Sequence, residues 1–284
     1  MLIKLLNCFT LLSLSLLVQA EQFQSPLTDT HWHVTETPLM CTLSQEIAGF
    51  GEAKFQRQSG SHLSLIFTTK YYPAAQNNVN FEIAEAPWQN VEQRLMMTAV
   101  PTDKGQMEFV LSGLLAKQAL TQIQQGRFPT LRYHSQNIPE EISVLLSSVH
   151  LADSMPAFQQ CLENLPSYSF DDINKLTVYF SSEKAALTSQ AQQALTKLAD
   201  YVKLDSSVKR ITISSHTDNH GRRRLNGELS ESRAIVIKNF LINDCQLPES
   251  FITTSSHLEW KPISSNKSIS GRALNRRAEV EVFR

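Results

Sequence analysis

Between Leu176 and Phe283 the apolar residues switch spacing in an order that few folds accommodate. Leu176 to Phe180 is a compact strand-like run. Leu187, Ala191, Ala194, Leu195, Leu198 and Val202 then recur at helical spacing, with Thr188 or Ser189 placed to cap the start. Val208, Ile211 and Ile213 mark the next strand. Leu229, Arg233, Val236, Ile237, Phe240 and Leu241 line a second helix that should end near Asn243. Phe251 to Thr254 and Ala278 to Phe283 supply two further strands. Strands with one apolar face and helices with one apolar stripe must bury those surfaces together, so βαβαββ is the economical reading of this order.

The preceding part of the chain has a different texture. Ser61 to Tyr72 places Leu63, Leu65, Phe67 and Thr69 on alternate positions, and Met107 to Leu111 and Thr130 to His134 are similar short strands. Pro73, the Gln76 to Asn78 cluster, Pro87 and Pro101 interrupt them. Two segments read as helices: Leu114 to Gln125, stopped by Gly126, and Ala152 to Leu165, with Met155, Phe158, Cys161, Leu162 and Leu165 near one face. The expectation is a mostly β domain closed by a terminal helix, and for the whole chain an α+β class.

Met1 to Ala20 carries Lys4, an apolar run to Val18 and a small final residue, the order of a secretory signal peptide cleaved before Glu21. Cys8 precedes most of the apolar run and so does not read as a lipid-attachment site. No later segment approaches the length of a membrane-spanning helix, and no mature transmembrane segment is expected. The domains are then a signal peptide at 1–20, the mostly β domain at 21–167 and the βαβαββ domain at 168–284. Pro166 and the adjacent Asp171 and Asp172 make Asn164 to Asp172 a plausible linker.

Charge divides at the same place. Residues 21–167 hold 8 Lys or Arg against 14 Asp or Glu, a charge of -6, while 168–284 hold 17 against 13, a charge of +4. The net charge of -1, with 19% charged residues, does not suit a nucleic-acid binder that works by neutralising phosphates. Export leaves Cys41, Cys161 and Cys245 in an oxidising compartment, where one disulfide and one leftover thiol are expected arithmetically. A link from Cys41 to Cys161 would tie the start of the acidic part to its end. Closing a loop of about 120 residues contributes roughly 4 to 5 kcal/mol on the chain-entropy account. Three unpaired thiols are the alternative.

Several residues invite a chemical reading. His31 and His33 share one side of an extended segment without an obvious third metal ligand, and packing is the simpler role for them, for Trp32 and for Trp88. His216, Asp218 and His220 alternate along a loop, which does not make them convergent ligands. Ser215, His216 and Asp218 contain the side chains of a nucleophilic relay, but adjacency in sequence gives the base no orientation toward the serine, and no catalytic role or cofactor follows. Arg222 to Arg224 beside His220 read either as a solvated loop or as a patch for an anionic surface.

The densest signal runs from Ile211 through His216, Thr217, Asp218, Gly221, Leu225, Asn226, Leu229, Ser230, Arg233 and Ala234, joined by Gly271, Arg272, Asn275, Arg276, Arg277 and Glu279 near the end. A carboxylate just after a strand and an arginine inside the next helix suit a ligand that carries both an ammonium and a carboxylate. Over residues 170–284 this pattern resembles the OmpA-like peptidoglycan-binding family. The resemblance implies a non-catalytic βαβαββ two-layer sandwich whose pocket grips the diaminopimelate of the cell-wall stem peptide. It implies Asp218 and Arg233 as the principal clamp, Asn226 and Arg277 as supporting contacts, and Thr217 and Leu225 as residues shaping the pocket. Ser215 stands where that family usually has glycine, and Ser256 and His257 replace part of a glycine-rich turn before Trp260 and Pro262.

The wider arrangement, carried by Cys41, Trp88, the helix around Phe158 to Leu165 and the C-terminal pattern, resembles periplasmic accessory proteins of sodium-driven flagellar motors. That resemblance implies an N-terminal domain that joins the flagellar basal body and helps recruit or retain the stator complex, and it favours the Cys41 to Cys161 disulfide. A general envelope scaffold and, less favoured, a cell-wall amidase are the alternatives.

Overall fold

The computed structural model describes residues 20–89 and 93–284. The expected signal peptide lies, except for Ala20, outside the described residues. The chain divides into two compact units: one holds the chain through His33 with Leu43–Phe55 and Ser64–Met155, the other Val34–Thr42, Gln56–Leu63 and Pro156–Arg284.

The N-terminal half contains β1 (Glu21–Gln24), β2 (His33–Thr37), β3 (Met40–Ile47), β4 (Gly51–Gln58), β5 (Ser64–Thr69), β6 (Asn78–Ala84), β7 (Arg94–Pro101), β8 (Glu108–Ser112), α1 (Leu114–Gln124), β9 (Phe128–His134), β10 (Glu141–Leu145) and α2 (Leu151–Asn164). One five-stranded sheet has the order β1-β10-β9-β6-β7, and another the order β2-β3-β4-β5-β8. In β4 the residues Gly51, Ala53 and Phe55 are buried while those between them are not, the alternation of a strand with one wet face. Within the first unit aromatic rings join the sheets: Phe67 lies 6.4 Å from Phe81, and Phe109 lies 4.5 Å from Tyr133. The buried Gln45 is satisfied by a reciprocal pair with the Ser147 backbone, each bond 3.0 Å. Trp32 is buried and stacks on Phe55 at 6.5 Å, whereas the His31 ring lies against His150.

The C-terminal half continues with β11 (Lys175–Tyr179), α3 (Ser189–Leu204), β12 (Arg210–Ser215), α4 (Arg223–Asn239), β13 (Ile252–Ser256), α5 (Ile269–Asn275) and β14 (Arg277–Phe283). The sheet order is β11-β14-β12-β13, with β14 antiparallel to both neighbours and β12 parallel to β13. Leu195, Leu198, Ile211, Ile213, Ile237, Leu241 and Val280 are buried in one core between sheet and helices. This is the βαβαββ order with one added short helix, α5, which at seven residues is too short to show a period in sequence. Of the two capping candidates, Thr188 is the cap: its Oγ1 accepts from Ala191 N at 3.2 Å. Beyond α4 the chain widens into a π turn at Phe240–Asp244, so the helical path ends close to Asn243 as the spacing predicts.

Within the second unit Cys41 of β3 is bonded to Cys161 of α2, the Cα atoms 5.9 Å apart, and Cys245 is a buried free thiol. Gly60, at φ 70°, sits against the Tyr168–Ser169 backbone; a Cβ there would stand 2.3 Å from Ser169 N. Tyr168 and Phe170 pack on the same core as Leu198 and Val202, so part of the expected linker is built into this unit.

Candidate functional site

The end of β12 and the turn into α4 carry the residues singled out by sequence. Ser215 is fully buried and turned toward α4, where its Oγ donates to Ser230 O at 2.6 Å and Ser230 Oγ returns a bond to Ser215 O at 3.0 Å. The serine at the glycine position is thus absorbed by a paired serine on the facing helix. His216 points the other way: its ring stacks on His257 at 5.2 Å, and neither ring nitrogen has a protein partner. Burial first, and the charge of Arg277 second, hold its pKa down at about 4. Asp218 turns to yet another set of groups. The three side chains of the imagined relay therefore diverge, and Ser215 has no base beside it.

Asp218 is 7% exposed. Its Oδ1 accepts from His220 N at 3.0 Å, and its Oδ2 receives Arg276 Nη1 at 3.0 Å. Asn226, in the first turn of α4, donates through Nδ2 to Asp218 O at 3.3 Å, which ties the helix start to the turn. Gly221 permits the sharp path between them, with φ 95°.

Arg233 comes from the middle of α4 and is completely buried. Its Nε donates to Lys184 O at 3.1 Å, Nη1 to His216 O at 2.9 Å and Nη2 to Ser181 O at 3.2 Å, while the guanidinium lies 5.0 Å over the Phe180 ring. One side chain thereby pins the β11 to α3 loop to the end of β12. Burial lowers its pKa to about 10, with the charge of Asp218 opposing and that of Arg276 adding to the effect.

The structure brings Asp218, Asn226, Arg233 and Arg276 to one end of the sheet. It engages Arg277 differently: Nε and Nη2 each lie 2.7 Å from Glu279 Oε1, and Nη2 also donates to Lys261 O. Thr217 is buried, its N donating to Leu258 O at 2.9 Å and its Oγ1 without a protein partner, and Leu225 is exposed. Asn275 is fully buried and shapes the neighbouring loop: Oδ1 accepts from Ile263 N and Ser264 N, and Nδ2 donates to Ser264 O and Asn266 Oδ1. Arg276 is the residue whose role sequence reasoning missed. No signal in the sequence separates it from its neighbour: Arg276 caps the end of α5 and Arg277 opens β14, and Arg276 is the one that meets Asp218. Among the described residues no three His, Cys, Asp or Glu side chains converge as a metal site.

Comparison with known proteins bears on both halves. Residues 23–166 match the MotY N-terminal domain, and residues 179–276 match the OmpA family. The sodium-type flagellar protein MotY of Vibrio parahaemolyticus is 28% identical over 271 residues, covering 94% of this chain and 92% of the relative. Outer membrane protein Omp38 of Acinetobacter baumannii is 34% identical over 114 residues, which is 39% of this chain and 32% of that protein. Motility protein B of Bacillus subtilis is 30% identical over 113 residues, covering 38% of this chain and 43% of the relative. The first half of the match thus spans the disulfide-bearing β domain, and the second spans the sandwich with its Asp218 turn. The chain belongs to the MotY N-terminal domain family, with an OmpA-like domain following that domain in the same polypeptide.

Proposed function

We propose that the protein is a periplasmic, non-catalytic component of a sodium-driven flagellar motor that anchors motor parts to the cell wall. The domain at 21–167 associates with the basal body and helps recruit or retain stators. The domain at 168–284 grips peptidoglycan by the diaminopimelate of its stem peptide, and the pair together resist torque. The observation that supports wall binding is a nearly buried carboxylate, Asp218, set between an exchangeable guanidinium and the rigid Arg233 cradle. Such a carboxylate suits a ligand ammonium, and the adjacent cationic groups suit a carboxylate on the same ligand. In this reading Asn226 and Arg277 are the supporting polar contacts, and Thr217 and Leu225 shape the pocket.

Pulldown by purified peptidoglycan tests the wall-binding part. Asp218→Ala should abolish retention while thermal melting shows a folded domain; retention equal to the unmodified protein would refute the site. For the motor role, a deletion strain should keep its filaments yet fail to localise stators and fail to swim. Normal stator assembly and swimming in that strain would leave only a general envelope tether.

A further inference from the structure

The run Arg222 to Arg224 takes no part in the wall site. All three residues are exposed, and Arg224 is paired with Glu228 one turn along α4, whereas Arg222 and Arg223 have no carboxylate partner among the described residues. The loop from β13 to α5 lies against this run. Arg223 holds its guanidinium 4.9 Å over the ring of Trp260, and a Cβ at Gly227 would stand 3.7 Å from Leu258 Cδ2. The loop itself is fixed from inside. Asn275 Oδ1 accepts from Ile263 N and Ser264 N, and Arg272 Nη1 donates to Asn266 O at 2.9 Å. Its outward side chains are of two kinds. Lys261 and Lys267 are exposed cations, and between and beside them Trp260 is 61% exposed, Ile263 55% and Ile269 78%. Residues 218–228 and 257–276 together hold 7 Lys or Arg against 3 Asp or Glu, while the rest of 168–284 holds 10 against 10. The whole positive excess of this domain therefore lies in these two segments.

We infer that this surface docks on a bilayer with anionic phospholipid headgroups: Arg222, Arg223, Lys261 and Lys267 take the lipid phosphates, while Trp260 and Ile263 enter the boundary between headgroups and acyl chains. The guanidinium fork matches a phosphate, and an indole, apolar with one polar edge, belongs at that depth. Stacking of Arg223 on Trp260 keeps the charge and the ring at one level. An acidic polypeptide would satisfy the cations alone. A bilayer also takes the exposed apolar side chains at whatever spacing they have, because its acyl chains are fluid, and its hold grows with both the apolar area buried and the charge attracted. Docking needs neither Asp218 nor Arg233, so it stands or falls apart from the wall-binding reading. Such a contact keeps the protein at a membrane while its wall site is empty.

Vesicle flotation with the full mature chain tests this. The unmodified protein should float with vesicles of phosphatidylethanolamine and phosphatidylglycerol, stay behind with vesicles of phosphatidylcholine, and be released by raised salt. Arg222→Ser combined with Arg223→Ser should weaken binding about 25-fold, at about fivefold for each cation close to a charged membrane. Tryptophan emission should shift to the blue on binding. Trp260→Ala, with Trp32 and Trp88 intact, should lose that shift and bind more weakly. Lys104→Ser and Lys117→Ser, which remove exposed cations of the acidic part, should leave binding unchanged, and Asp218→Ala should bind vesicles at least as well as the parent. Thermal melting checks that each variant is folded. Equal flotation with phosphatidylcholine, undiminished binding by the folded double arginine variant, or an unaltered blue shift in Trp260→Ala overturns the proposal. So does capture of polyglutamate without binding of any vesicle, which would assign the patch to an acidic protein.

Discussion

Replacing Cys41 and Cys161 together by Ala removes a link across 120 positions of sequence. With the chain-entropy relation, a loop of that length restricts the unfolded state by about 16 cal/mol/K, or about 5 kcal/mol at room temperature. The structure adds where this loss should appear. Both cysteines lie in the second compact unit, which also holds the whole OmpA-like domain. While that unit is folded, the packing of its own segments keeps the two positions together with or without the bond. Most of the residues between them, Leu43–Phe55 and Ser64–Met155, lie in the first unit, so the full restriction is released only when both units are unfolded, and the cost falls on global unfolding. At about 2 to 4 °C per kcal/mol, the midpoint of that unfolding should drop by about 10 to 20 °C. Differential scanning calorimetry of the double variant against the parent measures this. A drop below about 3 °C would refute the reasoning. Peptidoglycan retention at low temperature should be unchanged, because neither cysteine touches the Asp218 site.

Three other outcomes follow from local geometry. Gly60→Ala meets both a left-handed backbone and Ser169 N at 2.3 Å, whereas Gly126→Ala, at φ 88° with open space around it, meets only the first. Urea unfolding should show Gly126→Ala costing about 1 to 2 kcal/mol and Gly60→Ala costing more; equal costs would refute the close-approach argument. His216 is kept neutral in the folded protein, by burial above all, while its pKa of about 4 lies below the ordinary 6.5 of the unfolded chain. The unfolded state thus binds the proton first, so this contribution to stability is complete above pH 6.5 and is lost as pH falls toward 4, by about 3 kcal/mol in total. Glu279 opposes the shift, and His257 and Lys261 reinforce it. Unfolding measured at pH 7 and pH 4 should show a smaller difference in His216→Gln than in the parent, and identical differences would count against the histidine. Asp205 accepts two bonds from Arg284, at 2.7 and 3.0 Å, and others from Ser207. Burial works to raise its pKa, and these bonds overcome it and lower the value. Removing Arg284 should cost about 1 to 3 kcal/mol near neutral pH and less under acid conditions, where the carboxylate is protonated; a cost that does not change with pH would refute the ion-pair account.

The sandwich was legible because each of its strands and long helices carries a complete period on one side, and because the Thr188 cap of α3 is a local signal. The turn holding Asp218 was legible for a related reason, since residue types at fixed short offsets survive in the linear chain. The role of Arg233 was only half visible. A charged residue on the apolar stripe of α4 could be read as facing inward, but its three acceptors, Ser181, Lys184 and His216, come from two separate loops. Arg276 and Arg277 look alike in sequence and differ completely in their partners. The pairing of Ser215 with Ser230, fifteen positions away, is likewise invisible in the linear chain and makes the serine a satisfied buried residue.

By itself, then, the amino-acid order determined the period of each regular element, the change of class along the chain, the odd number of cysteines left after export and the residue types gathered around one turn. Those are local quantities, set by neighbouring positions. Tertiary structure alone decided that segments 34–42 and 56–63 join the C-terminal unit, that the linker residues Tyr168 and Phe170 enter its core, and that Arg276 neutralises Asp218. Each of these depends on which surfaces meet across long stretches of chain, where burial and hydrogen-bond satisfaction select among partners that sequence spacing leaves equal.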